Sequence, residues 1–324
     1  MGSELAAQIV SAGAVQGLFE RLHRFYLDHS CHPSGKKPLS GNASECGKVH
    51  MLTIGHSYGA LFNFRSLLGN METGLSTPPG DRVYSFGDLV VLLNPAFEGT
   101  RYAPPYYSAK QRPSYLGPDA VTGGAQLPVV VTLQSVGDWA TGDTFPIFRH
   151  VTTIGGNPLG IEKTESDHAM GWVPAFETHR LYLSPTLHSP NYPDGRRPKS
   201  LCDDGLADVD VCDASPTPVD CRVKIWAPNG IGTGAFSIFG KSSIYVGNGM
   251  SLLATVPPTE KRPGNFFPYW VVQVDKAIMK DHDDVWNPLT TEFIVELYHA
   301  AVAQAEVQAK PIRDANKPPR APEQ

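Results

Sequence analysis

The chain has 324 residues, 41% of them hydrophobic and 18% charged, with a formal net charge of −5. That is enough to bury a large core, as one big domain or as one domain with an insertion. The acidic balance and the lack of a Lys/Arg cluster argue against a nucleic-acid groove. The most apolar N-terminal stretch, Leu5 to Phe19, is too short for a membrane span and is broken by Gln8 and Gln16.

The first residues, Met-Gly-Ser-Glu, lack the basic region of a signal peptide, so nothing marks a compartment and the cytoplasm is the default. Residues 4 to 27 are expected to be helical, with Leu5, Ile9, Leu18, Leu22 and Phe25 near one face. Gly13 and Gly17 weaken that helix by about 1 kcal/mol each relative to Ala. Residues 28 to 47 form a Pro/Gly/Ser-rich connection. The apolar run from Val49 to Ile54 reads as a short buried strand, and Ala60 to Leu68 as a helix. Between them stands Gly55-His56-Ser57-Tyr58-Gly59.

Further strands are expected from Asp88 to Pro95, from Leu127 to Gln134 and from Tyr269 to Asp275. The continuous β-branched run within 127–134 suits a strand covered on both faces of a parallel sheet. A final helix covers residues 289 to 309, and the Pro- and Lys/Arg-rich tail from Pro311 is expected to be disordered. Residues 150 to 265 interrupt the pattern with short β-like pieces (Thr178 to Leu183, Ser242 to Val246) and an acidic, cysteine-containing loop. The chain thus divides into a core over 1–149, an insertion over 150–265, a return to the core over 266–310 and the tail 311–324. The insertion is expected to lie over the cleft as a cap and to supply Trp172, Phe176, Phe236 and Phe239 to an apolar site. The class is α/β, with a mostly parallel sheet flanked by helices.

A Gly-x-Ser-x-Gly at a strand-to-helix junction is the pattern of a nucleophile elbow. Gly55 and Gly59 let the chain turn sharply around Ser57, and the N–H of Tyr58 is expected to face a developing oxyanion. His56 is expected to pack or bond locally. A serine hydroxyl needs a base, and the base an orienting carboxylate. Asp138 follows the third strand, where α/β folds place functional groups, and His282 follows the fourth. Asp143 is the alternative acid and His168 the alternative base; His168 ranks lower because it precedes the last strand.

The remaining histidines show no metal-ligand spacing. Asp203, Asp204, Asp208, Asp210 and Asp213 do not match a calcium loop. Cys202, Cys212 and Cys221 contain no Cys-x-x-Cys pair, so no metal is expected and a disulfide within the insertion is the better reading of them. Cys31 and Cys46 complete the five cysteines. The sequon Asn42-Ala43-Ser44 matters only in a secreted chain.

Through Gly55 to Ala60, Val90 to Pro95, Val129 to Asp138 and Val271 to His282, the chain resembles the α/β-hydrolase superfamily, of the serine esterase and lipase kind. The resemblance implies Ser57 as nucleophile, Asp138 as orienting acid and His282 as base. It also implies no cofactor and a small ester or lipid-like substrate with an ester, thioester or amide bond. The two other readings are a truncated, non-catalytic hydrolase-like interaction protein and an acyltransferase on the same scaffold. Members of that superfamily carry several strands before the elbow, whereas one helix is expected here. The fold expected is therefore a partial α/β-hydrolase fold whose elbow strand becomes an exposed edge, prone to self-association.

Overall fold

A computed structural model describes residues 14–30, 49–79, 81–112, 126–146, 161–183, 243–245, 250–254 and 267–315. The strands are β1 (Leu52–His56), β2 (Leu89–Leu93), β3 (Val130–Ser135), β4 (His179–Leu183), β5 (Ser243–Tyr245), β6 (Met250–Ala254) and β7 (Tyr269–Val274). They form one sheet in the order β1-β2-β3-β7-β4-β6-β5. The first five in that order run parallel, and β6 and β5 are antiparallel additions at one side.

The helices are α1 (Ala14–His29), α2 (Tyr58–Leu75), α3 (Gly99–Gln111), α4 (Ile161–Asp167) and α5 (Pro288–Ala315). The two-residue period of the strands sorts their side chains between two layers. Leu89, Val91 and Leu93 of β2 join Val131, Trp270 and Val272 beneath Phe293, Ile294 and Leu297 of α5. Val90 and Leu92 join Tyr269 and Val271 on the opposite face, under Phe64 and Leu67 of α2 and Tyr102 and Tyr106 of α3. The molecule is an α/β sheet flanked by helices on both faces, the arrangement that buries a parallel sheet.

Two features fasten the β1 edge. Gly87 adopts φ +69°, and a Cβ there would lie 2.7 Å from the Met51 carbonyl oxygen. Next to it, the buried Asp88 carboxylate accepts hydrogen bonds from the Tyr26 hydroxyl of α1 (2.9 Å) and the Met51 N–H (2.6 Å).

Several expectations need correction. The described strands of residues 150–265 do not form a separate layer; β4 pairs in parallel with β7, and β6 and β5 extend the sheet from there. The hinge of this addition is Thr178, whose hydroxyl and N–H both donate to the Val271 carbonyl. Phe176 does not line a cleft. It is fully buried and packs edge-on against Tyr102 at 5.4 Å. Phe236, Phe239, the five cysteines, Asn42 and the acidic run from Asp203 to Asp213 lie outside the described residues. The last helix also runs past the expected stop and ends at Ala315. Pro311 removes one i→i−4 hydrogen bond, and the helix continues for about one turn beyond it.

Candidate active site

Three loop positions at the carboxyl ends of the parallel strands make the site. β1 ends at His56, and α2 begins at Tyr58, so Ser57 is the whole connection. Ser57 carries φ 56° and ψ −121°. A serine there is strained, and such strain persists only where the surroundings over-determine it. Ser57 N–H donates to the Leu93 carbonyl (3.0 Å), and the Ser57 carbonyl accepts from Ala96 N–H (3.2 Å). The turn is thus fastened to the end of β2 on both sides. Tyr58, the expected oxyanion donor, opens α2 at its positive end.

Gly55 is required by close approach: its Cβ would lie 2.7 Å from the Gly59 carbonyl oxygen and 2.9 Å from Ala60 Cα. Gly59 is different. A Cβ there would meet nothing within 4 Å, so the turn does not depend on it, contrary to the role given to both glycines by the pattern.

The structure brings Ser57, His282 and Asp138 together. The Ser57 hydroxyl lies 2.9 Å from Nε2 of His282. Nδ1 of His282 lies 3.0 Å from Oδ1 of Asp138. An ionised carboxylate only accepts, so Nδ1 carries the proton and Nε2 accepts from the hydroxyl. The alternatives stand apart from this chain. Nδ1 of His168 faces the Thr164 carbonyl one helical turn away (3.0 Å), and Asp143 is exposed on the turn after Asp138.

Asp138 is buried, and burial pushes its carboxyl pKa up. Hydrogen bonds from His282 and from the Thr141 hydroxyl and N–H outweigh that, and the pKa lies below the ordinary carboxylate value. Ala140 N–H and Thr141 N–H each donate to Oδ1 at 3.0 Å, and Gln134 Nε2 donates to Oδ2 at 3.1 Å. The Trp172 indole N–H donates to the Thr141 hydroxyl (3.0 Å), so Trp172 buttresses the acid. For His282, burial lowers the pKa. The hydrogen bond and charge of Asp138, with Asp283 and Asp281 adding, raise it by more than burial lowers it, and the net value lies above that of free imidazole.

The residues that sequence reasoning missed hold the His282 backbone. Asn94, fully buried at the end of β2, donates through Nδ2 to the carbonyls of His282 (3.0 Å) and Asp281 (3.2 Å). Its Oδ1 accepts from Ser135 N–H at 2.9 Å. Asn94 has φ 41°, a region Asn tolerates better than most residues. His56 donates from Nε2 to the same His282 carbonyl (2.8 Å), a contact across 226 residues rather than a local one. Burial holds the pKa of His56 below the ordinary imidazole value. The one sequence signal for Asn94 is its place before Pro95 at a strand end.

The rim is apolar. Trp139, beside Asp138, is 61% exposed, and Trp286, four residues after His282, is 62% exposed. Among the described residues, no helix is long and apolar enough to cross a membrane. The chain matches no family model, no curated protein and no solved structure.

Proposed function

We propose that this chain is a serine hydrolase that cleaves a carboxylic ester, or a related thioester or amide, through an acyl-enzyme. The observation that carries the reading is the hydrogen-bonded chain from Ser57 Oγ through the His282 ring to Asp138 Oδ1, with Ser57 on a strained strand-to-helix turn. That turn, the parallel sheet and the chain order Ser, Asp, His also support kinship with the α/β hydrolases.

In this reading Ser57 Oγ attacks the substrate carbonyl carbon while His282 Nε2 takes its proton. The carbonyl oxygen becomes an oxyanion beside the Tyr58 N–H and the positive end of α2. Collapse expels the alcohol, which takes the proton from Nε2. Water then attacks the acyl-enzyme, passes a proton to the same nitrogen and releases the acid as Ser57 recovers its hydrogen. Asp138 stays ionised throughout and stabilises the imidazolium.

Labelling with a fluorophosphonate probe tests the proposal. The wild-type chain is expected to be labelled and the Ser57→Ala variant to be inert. Equal labelling of the two, or none of a folded wild-type chain, would sink it.

A further inference from the structure

His56, His282 and Asp283 each place one potential ligand atom within 4.8 Å of the other two. His56 ends β1, His282 lies on the loop after β7, and the two imidazole centroids are 4.8 Å apart. Asp283 is exposed and follows His282 directly. Two imidazoles and one carboxylate are a donor set for zinc, with a fourth position left for water or a hydroxyl. Tetrahedral bonds of about 2.0 Å set ligand atoms roughly 3.3 Å apart, so closure needs shifts of about an ångström from side chains at the cleft mouth.

The backbone is already arranged for this. Asp281 Oδ1 accepts from the N–H groups of Asp283 and Asp284, both at 3.2 Å, which fixes the turn that carries the Asp283 carboxylate. The His282 carbonyl is held by Asn94 and by the Nε2–H of His56, which leaves Nδ1 of His56 as the nitrogen with a lone pair for a metal. Nδ1 of His282 is engaged by the buried Asp138, which leaves Nε2 as its ligand atom.

We infer that zinc binds here as a reversible inhibitor, held by His56, His282 and Asp283. The Zn–Nε2 bond forms where the Ser57 O–H···Nε2 hydrogen bond breaks. No electrons or leaving groups move, and chelation restores the original contact. With Nε2 occupied, Ser57 has no base. The effect on turnover rests on the hydrolase reading; the binding itself does not. Hard oxygen-seeking cations such as Mg²⁺ and Ca²⁺ are poor matches for two imidazoles.

The test adds zinc chloride to the wild-type chain and follows two readouts. The first is the ring ¹⁵N resonances of His56 and His282, which need no turnover. The second is p-nitrophenyl ester hydrolysis, with magnesium chloride as control. Zinc, not magnesium, is expected to shift both sets of ring resonances and to stop hydrolysis, with recovery on adding EDTA. Asp283→Asn removes a ligand and no part of the proposed catalytic machinery. Assayed above the acid limb, where His282 is neutral with or without the Asp283 charge, it is expected to hydrolyse the ester normally and to need about tenfold more zinc or more for either effect. Unmoved ring resonances in the wild type overturn the inference, as does equal zinc sensitivity of Asp283→Asn. Shifted resonances in a chain that hydrolyses nothing without metal uphold the zinc site and overturn the hydrolase reading instead.

Discussion

At Gly55 an added Cβ would collide with the backbone of Gly59 and Ala60, whereas at Gly59 it would meet open space. The two glycines of one short pattern therefore carry different loads. Gly55→Ala is expected to push the first turn of α2 away from β1, to destabilise by about 1–3 kcal/mol and to remove most turnover. Gly59→Ala lies in the helix and is expected to be neutral or to stabilise by up to about 1 kcal/mol. Urea denaturation and ester hydrolysis of both variants check this; the reverse order would mean that the turn is built differently. Asp138 invites a second test. General base catalysis needs neutral His282, and its pKa lies above that of free imidazole. Burial pulls that pKa down, and the hydrogen bond and charge of Asp138 more than offset the pull. The kcat/KM profile is thus expected to rise through an acid limb above about pH 6.5. Asp138→Asn is expected to cut turnover roughly ten-thousand-fold and to move the residual limb to lower pH, since the main raising influence is gone. A limb that stays in place in the variant would belong to another group.

Among the elements, β4 carries an unusual residue for a buried strand. His179 is fully buried, packs at a tilt against Trp270 with ring centroids 4.2 Å apart and has its Nδ1 2.9 Å from the Thr178 hydroxyl, while Nε2 has no hydrogen-bond partner among the described residues. Burial pushes its pKa down to about 3. The native state keeps His179 neutral, whereas the unfolded chain takes up a proton below about pH 6.5. The unfolded state therefore binds more protons across this window, and stability falls as pH drops from about 6.5 towards 3, by up to about 1.4 kcal/mol per pH unit. His179→Gln is expected to flatten that part of the stability–pH curve in urea titrations; an unchanged slope would show that His179 ionises within the fold. The strands β2, β3 and β7 were legible because strands buried on both faces read as unbroken apolar runs. The helix α3 was not, because Gly99, Pro104 and Pro105 argue against a helix locally, and the burial of Tyr102 and Tyr106 overrides them. Ser57, Asp138 and His282 were readable from a turn pattern and two strand ends. The supports Asn94 and His56 were not, because their bonds to the His282 carbonyl span 188 and 226 residues and leave no local trace.

At the scale of the whole molecule, the sheet is finished differently on its two sides. On one side β6 and β5 turn antiparallel beyond β4. On the other, β1 pairs with β2 alone among the described strands, and its residues Leu52, Thr53 and Ile54 are only half-buried. Leu52 and Ile54 lean on the α5 side of the core, so this edge is apolar and, among the described residues, unpaired on its outer side. An edge strand of this kind is a template for another chain, and natural edges avoid it with charge, proline or bulges. None of those devices occurs within Leu52–His56. The nearest histidine, His56, is turned to the His282 carbonyl instead. The chain is therefore expected to self-associate through β1 as its concentration rises. Thr53→Lys places a charge on the edge while leaving Leu52 and Ile54 in the core. It is expected to shift the size-exclusion profile with light scattering towards the monomer without lowering the melting temperature by more than a few degrees. Because β1 delivers Ser57, self-association and turnover are coupled. If pairing at β1 splays the strand from β2, activity per chain falls as wild-type concentration rises and stays constant in Thr53→Lys. A wild-type chain that remains monomeric at high concentration would show that the β1 edge is covered by another part of this molecule.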